Sequence, residues 1–183
     1  GGTPSDEDIV VTAGCVEALS LCIKATTKPG DAVAIESPTY FAIFQLMESH
    51  GLKVVEIPTD PVLGKDIDYL TQAIPRFNIK ACLVVNNFNN PLGSCMPDDR
   101  KKHLVEMLAK KEIPLIEDDI YGELYFGKTR PKTCKTFDKK GLVLHCASFS
   151  KSLAPGYRIG WTIPGRYKDP VIRLKRMHTV STN

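Results

Sequence analysis

The sequence predicts an α/β fold in three layers, a mostly parallel seven-stranded sheet with helices on both faces. Three observations carry this. Helix and strand signals alternate from one end of the chain to the other. The strand candidates are apolar runs without polar alternation, such as ACLVV at 81–85, and such runs mean strands covered on both faces. Clear breaks separate the segments, among them Lys28-Pro29-Gly30 and Gly51.

Taken in order, residues 9–12 are a short β-branched strand and 15–26 a helix that stops at the Pro-Gly break. Residues 32–36 (AVAIE) form a strand, 40–50 a helix capped by Gly51, and 52–57 a third strand. Asp66 caps a helix that runs through Ile74. After the strand at 81–85 comes a helix at 97–111. Pro97 lies in its first turn, Asp98 and Asp99 near its positive end, and Lys110 and Lys111 at its negative end. Strands at 114–117, 142–146 and 159–163 follow, and a basic helix at 167–180 ends the chain. We expect one domain over residues 1–183, cut from a longer protein at both ends.

The 183 residues can bury a real core. With 43% hydrophobic and 25% charged residues, the composition is globular and excludes disorder. Lys and Arg total 24 against 21 Asp and Glu, a net +3 that gives no argument for nucleic acid. The basic residues between Arg166 and Arg176 read as a solvated helix face. No apolar run reaches the length of a membrane span, and no leader peptide or membrane partner is expected. The six cysteines show no C-x-x-C pair, so no metal site is expected. All six read as reduced thiols, which points to the cytoplasm.

In an open α/β sheet, ligands bind beyond the carboxyl ends of the strands. Chemistry collects there. A phosphate could be held by the helix start at Gly14, Cys15 and Val16, together with Ser148, Ser150 and Arg158. A protonated pyridine nitrogen needs a buried carboxylate, which Asp118 or its rival Asp119 can supply. A phenolic oxygen needs neutral donors, available from Asn90 and Tyr121, and an aromatic ring needs a flat partner, available from Tyr40. An aldehyde needs an amine, and Lys151 can form a Schiff base with it. The set describes pyridoxal 5′-phosphate. Taken singly, Asn90 before a proline is a common turn signal, and Tyr40 could equally be core.

Five motifs in order, N-N-P-L-G, E-D-D-I-Y and S-F-S-K-S-L-A-P-G-Y-R-I-G among them, resemble the large domain of the fold type I aminotransferases over nearly the whole chain. The resemblance implies a mixed sheet of seven strands with one antiparallel. It also implies Lys151 as the lysine that holds the cofactor, and Asp118 with Tyr121 as the aspartate–tyrosine pair. Within the family, V-T-A-G-C-V-E-A-L, A-I-E-S-P-T-Y-F and S-F-S-K-S-L-A-P-G-Y-R-I-G-W are most similar to MocR-type regulators of the GntR superfamily. There an aminotransferase-like domain follows a winged-helix DNA-binding domain. One departure is Ala13, where the family often has a serine hydroxyl at the start of the phosphate loop.

The resemblance therefore implies a switch that takes a small amine or amino acid and reaches DNA only through an upstream domain absent from these residues. A free-standing aminotransferase is the alternative, and another fold type I reaction such as a lyase is the third. The intact protein is expected to be a homodimer. This chain alone, without a small domain, is expected to be silent toward amino acids.

Overall fold

The computed structural model describes residues 4–179. Eight strands form one sheet in the order β1-β8-β7-β6-β5-β2-β3-β4. They are β1 (Val10–Thr12), β2 (Ala32–Ser37), β3 (Lys53–Asp60), β4 (Gly64–Lys65), β5 (Ile79–Val84), β6 (Leu115–Asp118), β7 (Val143–Ser148) and β8 (Gly160–Ile163). Among the described residues four α-helices connect strands, α1 (Cys15–Thr26), α2 (Phe41–Ser49), α3 (Ile67–Phe77) and α4 (Asp98–Lys110), and α5 (Lys168–His178) follows β8.

The central strands β3, β2, β5, β6 and β7 are parallel. β8 runs against both β7 and β1. The strand count is corrected from seven to eight. β4 is a two-residue return that pairs antiparallel with the end of β3, too short to leave an apolar run in the sequence.

Alternate residues of the buried strands feed two separate cores, as period-two geometry requires. Val33, Ile35, Ala81, Leu83, Ile116 and Leu144 pack with α1, α2 and α5. Ala34, Cys82, Val84, Leu115 and Val143 pack with α3 and α4 on the opposite face. Each face is thus covered, which explains the continuous apolar runs.

Two helix limits also move. α3 continues past Ile74 to Phe77, carrying Pro75 inside it, and ends on Asn78 in the left-handed conformation (φ 53°). Proline has no N–H to give the Thr71 carbonyl one turn back, so one helix bond is lost there, and the helix ends two residues later. Its start is as expected, with the Asp66 side chain accepting from the Tyr69 amide at 2.8 Å. α5 begins at Lys168 after a 3-10 turn at Gly165–Tyr167, and Thr179 is already extended. Val180, placed in that helix by the sequence, lies outside the described residues.

Candidate active site

The register of three strands assembles the first corner of the site. Thr12 of β1 and Ser148 of β7 both lie opposite Gly160 of β8. A Cβ at Gly160 would stand 2.5 Å from the Gly14 carbonyl carbon, so only glycine lets β8 pass this close to the loop before α1. Gly14 takes φ +98° as N-cap of α1. The Thr12 hydroxyl fixes the turn by donating to the Gly14 carbonyl at 2.9 Å. Arg158, itself left-handed at φ 51°, brings Nη2 to the Ala13 carbonyl at 3.0 Å.

A guanidinium, the Ser148 hydroxyl and the first amides of a helix thus converge. Ser150 is tied in by its amide, which donates to Ser148 Oγ at 3.4 Å. The Ala13 amide is spent on Glu17 Oε2, and among the described residues those of Gly14, Cys15 and Val16 remain as the unspent donors of the loop. Such a corner suits a phosphate dianion.

Asp118 closes β6 and pairs in register with Cys146 of β7. It is 7% exposed. Its Oδ1 accepts from the Cys15 thiol at 3.3 Å and from the Ile120 amide at 3.1 Å. Burial pushes its pKa up to about 6 in spite of these donors, and the charges of Glu36 and Asp119 push the same way.

Asp119 is committed elsewhere. Its Oδ1 accepts from Asn87 Nδ2 at 2.7 Å and its Oδ2 pairs with Arg130 Nη2 at 2.6 Å. A Cβ at Gly122 would fall 2.5 Å from that same Oδ2, so the loop folds tightly around the ion pair. Of the two rival carboxylates, Asp118 alone keeps an oxygen, Oδ2, without a donor among the described residues.

Asn90 and Tyr121 meet, with Asn90 Nδ2 3.5 Å from Tyr121 Oη. Lys151 is exposed in the turn after β7. That turn is anchored at Phe149, whose amide donates to the Ile159 carbonyl at 3.0 Å and whose ring lies 4.8 Å from that of Trp161. Tyr40 is the N-cap of α2, 43% exposed, with its ring edge-on to Phe41. Its contacts do not join it to the Asp118 cluster. A cavity of about 730 Å³ lined by Lys135, Asp138 and His145 lies beside the amino-terminal half of β7, away from this chemistry.

The sequence reading missed the polar floor beneath these groups. Glu36 of β2 and Lys65 of β4 form a buried ion pair at 2.6 Å, and Lys65 Nζ also donates to the Val85 carbonyl at 2.6 Å and to Asn86 Oδ1 at 3.0 Å. Lys101 of α4 is likewise buried, donating to Asn87 Oδ1 and to the Lys132 carbonyl, both at 2.7 Å. Glu36 inside AVAIE was the available signal, since a charge in a strand covered on both faces needs a partner.

A family model, aminotransferase class I and II, matches residues 3–179. An uncharacterized HTH-type transcriptional regulator of Escherichia coli K12, YjiR, is 45% identical over 175 residues, covering 96% of this chain and 37% of that protein. Aromatic-amino-acid aminotransferase 1 of Thermococcus litoralis is 35% identical over 162 residues, covering 86% of this chain and 39% of the enzyme. Among solved structures, the α-aminoadipate aminotransferase LysN of Thermus thermophilus, complexed with N-(5′-phosphopyridoxyl)-L-leucine, superposes with a TM-score of 0.89 at 28% identity, over 96% of this chain and 46% of its own. The chain therefore spans less than half the length of these relatives. Among the described residues no helix is long and apolar enough to cross a membrane.

Proposed function

Since the chain belongs to the aminotransferase class I and II family, we propose that it is the pyridoxal 5′-phosphate-binding core of a MocR-type transcriptional regulator. The observation that carries this reading is the 45% identity to an HTH-type regulator over 96% of the chain. The donor set fits the cofactor. The Gly14 loop with Arg158, Ser148 and Ser150 offers cationic and neutral donors to a phosphate. Asp118 Oδ2 offers a buried acceptor to a ring N–H, and Asn90 and Tyr121 offer donors to a phenolic oxygen.

In this reading Lys151 would be the amine that holds the cofactor through its aldehyde, and the same amine would take up the α-proton of a bound amino acid. When bound, the cofactor supplies a ring that accepts the electrons left on an amino acid's α-carbon. Asp118 would keep the ring nitrogen protonated. Arg158 would offset part of the phosphate charge and fix its position. Tyr40 would offer a flat face to the ring.

The intact protein carries a winged-helix DNA-binding domain before this one and a small domain after it, takes a small amine or amino acid as effector, and works as a homodimer in the cytoplasm. Supporting the dimer, Phe41, Leu153 and Tyr157 expose apolar surface. Supporting the compartment, all six cysteines are free thiols.

The test is a mobility shift of DNA flanking the protein's own gene by the full-length protein, with and without pyridoxal phosphate. A shift that changes with the cofactor is expected. A second reading, a free-standing aminotransferase, is favoured by the 35% identity to the Thermococcus litoralis enzyme. Keto acid production from L-amino acids without any DNA binding would decide for it.

A further inference from the structure

We propose that the Cys15 thiol is a positioning residue for Asp118, fixing Oδ1 so that Oδ2 is the oxygen left for the cofactor ring. This rests on the reading that Asp118 faces the ring nitrogen. Cys15 opens α1, and its amide belongs to the phosphate corner. Its side chain does something separate, turning inward from that corner to reach Asp118 Oδ1 at 3.3 Å, across 103 residues of sequence. One residue thus ties the phosphate end of the site to its ring end.

Two features make the thiol a dependable donor. It is buried, and both burial and the neighbouring Asp118 charge hold it protonated well above the ordinary thiol range. A neutral S–H can only donate to a carboxylate, so the polarity of the contact is fixed. Together with the Ile120 amide it supplies two donors to one oxygen. A carboxylate held this way cannot rotate to exchange its two oxygens without losing both bonds.

The link is tested in the intact protein freed of cofactor, with aspartate carboxyls labelled by carbon-13 and the Asp118 signal assigned by its loss in Asp118→Asn. A hydrogen bond donated to a carboxylate favours its charged form, and a thiol is a weak donor of such a bond. Cys15→Ala is therefore expected to raise the Asp118 midpoint by about one pH unit. Cys15→Ser, whose hydroxyl also donates, is expected to titrate at or below the wild-type midpoint. Glu36 and Asp119, which also act on Asp118, are left in place by both substitutions.

An unchanged midpoint in folded Cys15→Ala, or a serine variant that titrates well above wild type, overturns the proposal. If the alanine variant does not fold, the serine variant decides alone by the same criterion. The loaded protein separates this from the underlying reading, because a nitrogen-15 label in the pyridine ring reports its protonation. An unprotonated ring in wild type sinks the role given to Asp118. A protonated ring alongside a titration indifferent to residue 15 sinks only the role given to Cys15.

Discussion

Arg158 occupies the space that a side chain at Gly14 would need. A Cβ on Gly14 would lie 2.6 Å from Arg158 Nη2 and 3.1 Å from Cζ. The phosphate corner is therefore built by an absence at one residue and a guanidinium filling it from 144 positions later in the chain. Gly14→Ala meets two penalties. The positive φ costs an alanine about 1–3 kcal/mol, and the arginine must move. Denaturant unfolding is expected to show that loss. Pyridoxal phosphate affinity is expected to fall with it, and Arg158→Lys, which keeps the charge and loses the fork, should weaken binding roughly tenfold or more with unchanged stability. Wild-type affinity in Gly14→Ala would mean that the corner does not hold the phosphate.

Lys151 makes a contrast, because its exposure leaves little to lose on folding. Lys151→Ala should leave the unfolding midpoint within about 0.5 kcal/mol of wild type. Borohydride reduction of the loaded full-length protein and peptide mapping should then find the pyridoxyl adduct on Lys151 in wild type and nowhere in the variant. An adduct at another lysine refutes the assignment.

The floor of the site behaves in the opposite way. Lys65 directs its ammonium at Glu36, the Val85 carbonyl and Asn86, and no water is needed to satisfy it. Burial raises the Glu36 carboxyl above its ordinary range, with Lys65 the main opposing influence. Lys65→Met strands that carboxylate and should cost about 3–5 kcal/mol near neutral pH. The loss should shrink as pH falls, because Glu36 then takes up a proton. Adding Glu36→Gln should restore part of it. A double variant no better than Lys65→Met would show that the pair is not coupled.

The difference between what could and could not be read in advance follows from range. Asp118, Tyr121, Ser148, Lys151 and Arg158 stand at strand ends, and an apolar run marks a strand end from its own neighbours. The fold class and its buried sheet were legible for the same reason. β4 was not, since two residues carry no period. Nor were the Lys65 and Lys101 contacts, because each charge is neutralised by a partner far along the chain, and a lysine in a sequence reads as solvent-exposed by default. The spacing to Tyr121 favoured Asp118 over Asp119, but that Asp119 is committed to Arg130 and Asn87 only the folded loop reveals.

Asp118 is also where binding chemistry opposes stability. Its carboxyl has an ordinary value of 3.8 and is pushed to about 6 in the fold, with burial the leading cause. The folded protein therefore binds more protons than the unfolded chain between those two values, so stability falls as pH rises through that window. The gap corresponds to roughly 3 kcal/mol lost once Asp118 is ionised. Asp118→Asn removes the charge and keeps an acceptor for the Ile120 amide and the Cys15 thiol. Without cofactor, the asparagine variant should equal wild type below about pH 4, gain on it through pH 6, and exceed it by up to roughly 3 kcal/mol at about pH 8. Urea unfolding across that range measures it. In the loaded protein the advantage should shrink or reverse, because a ring N–H gives the wild-type carboxylate the partner it lacks. A cofactor-free variant no more stable than wild type at pH 8 would show that the Asp118 charge is not strained by its burial.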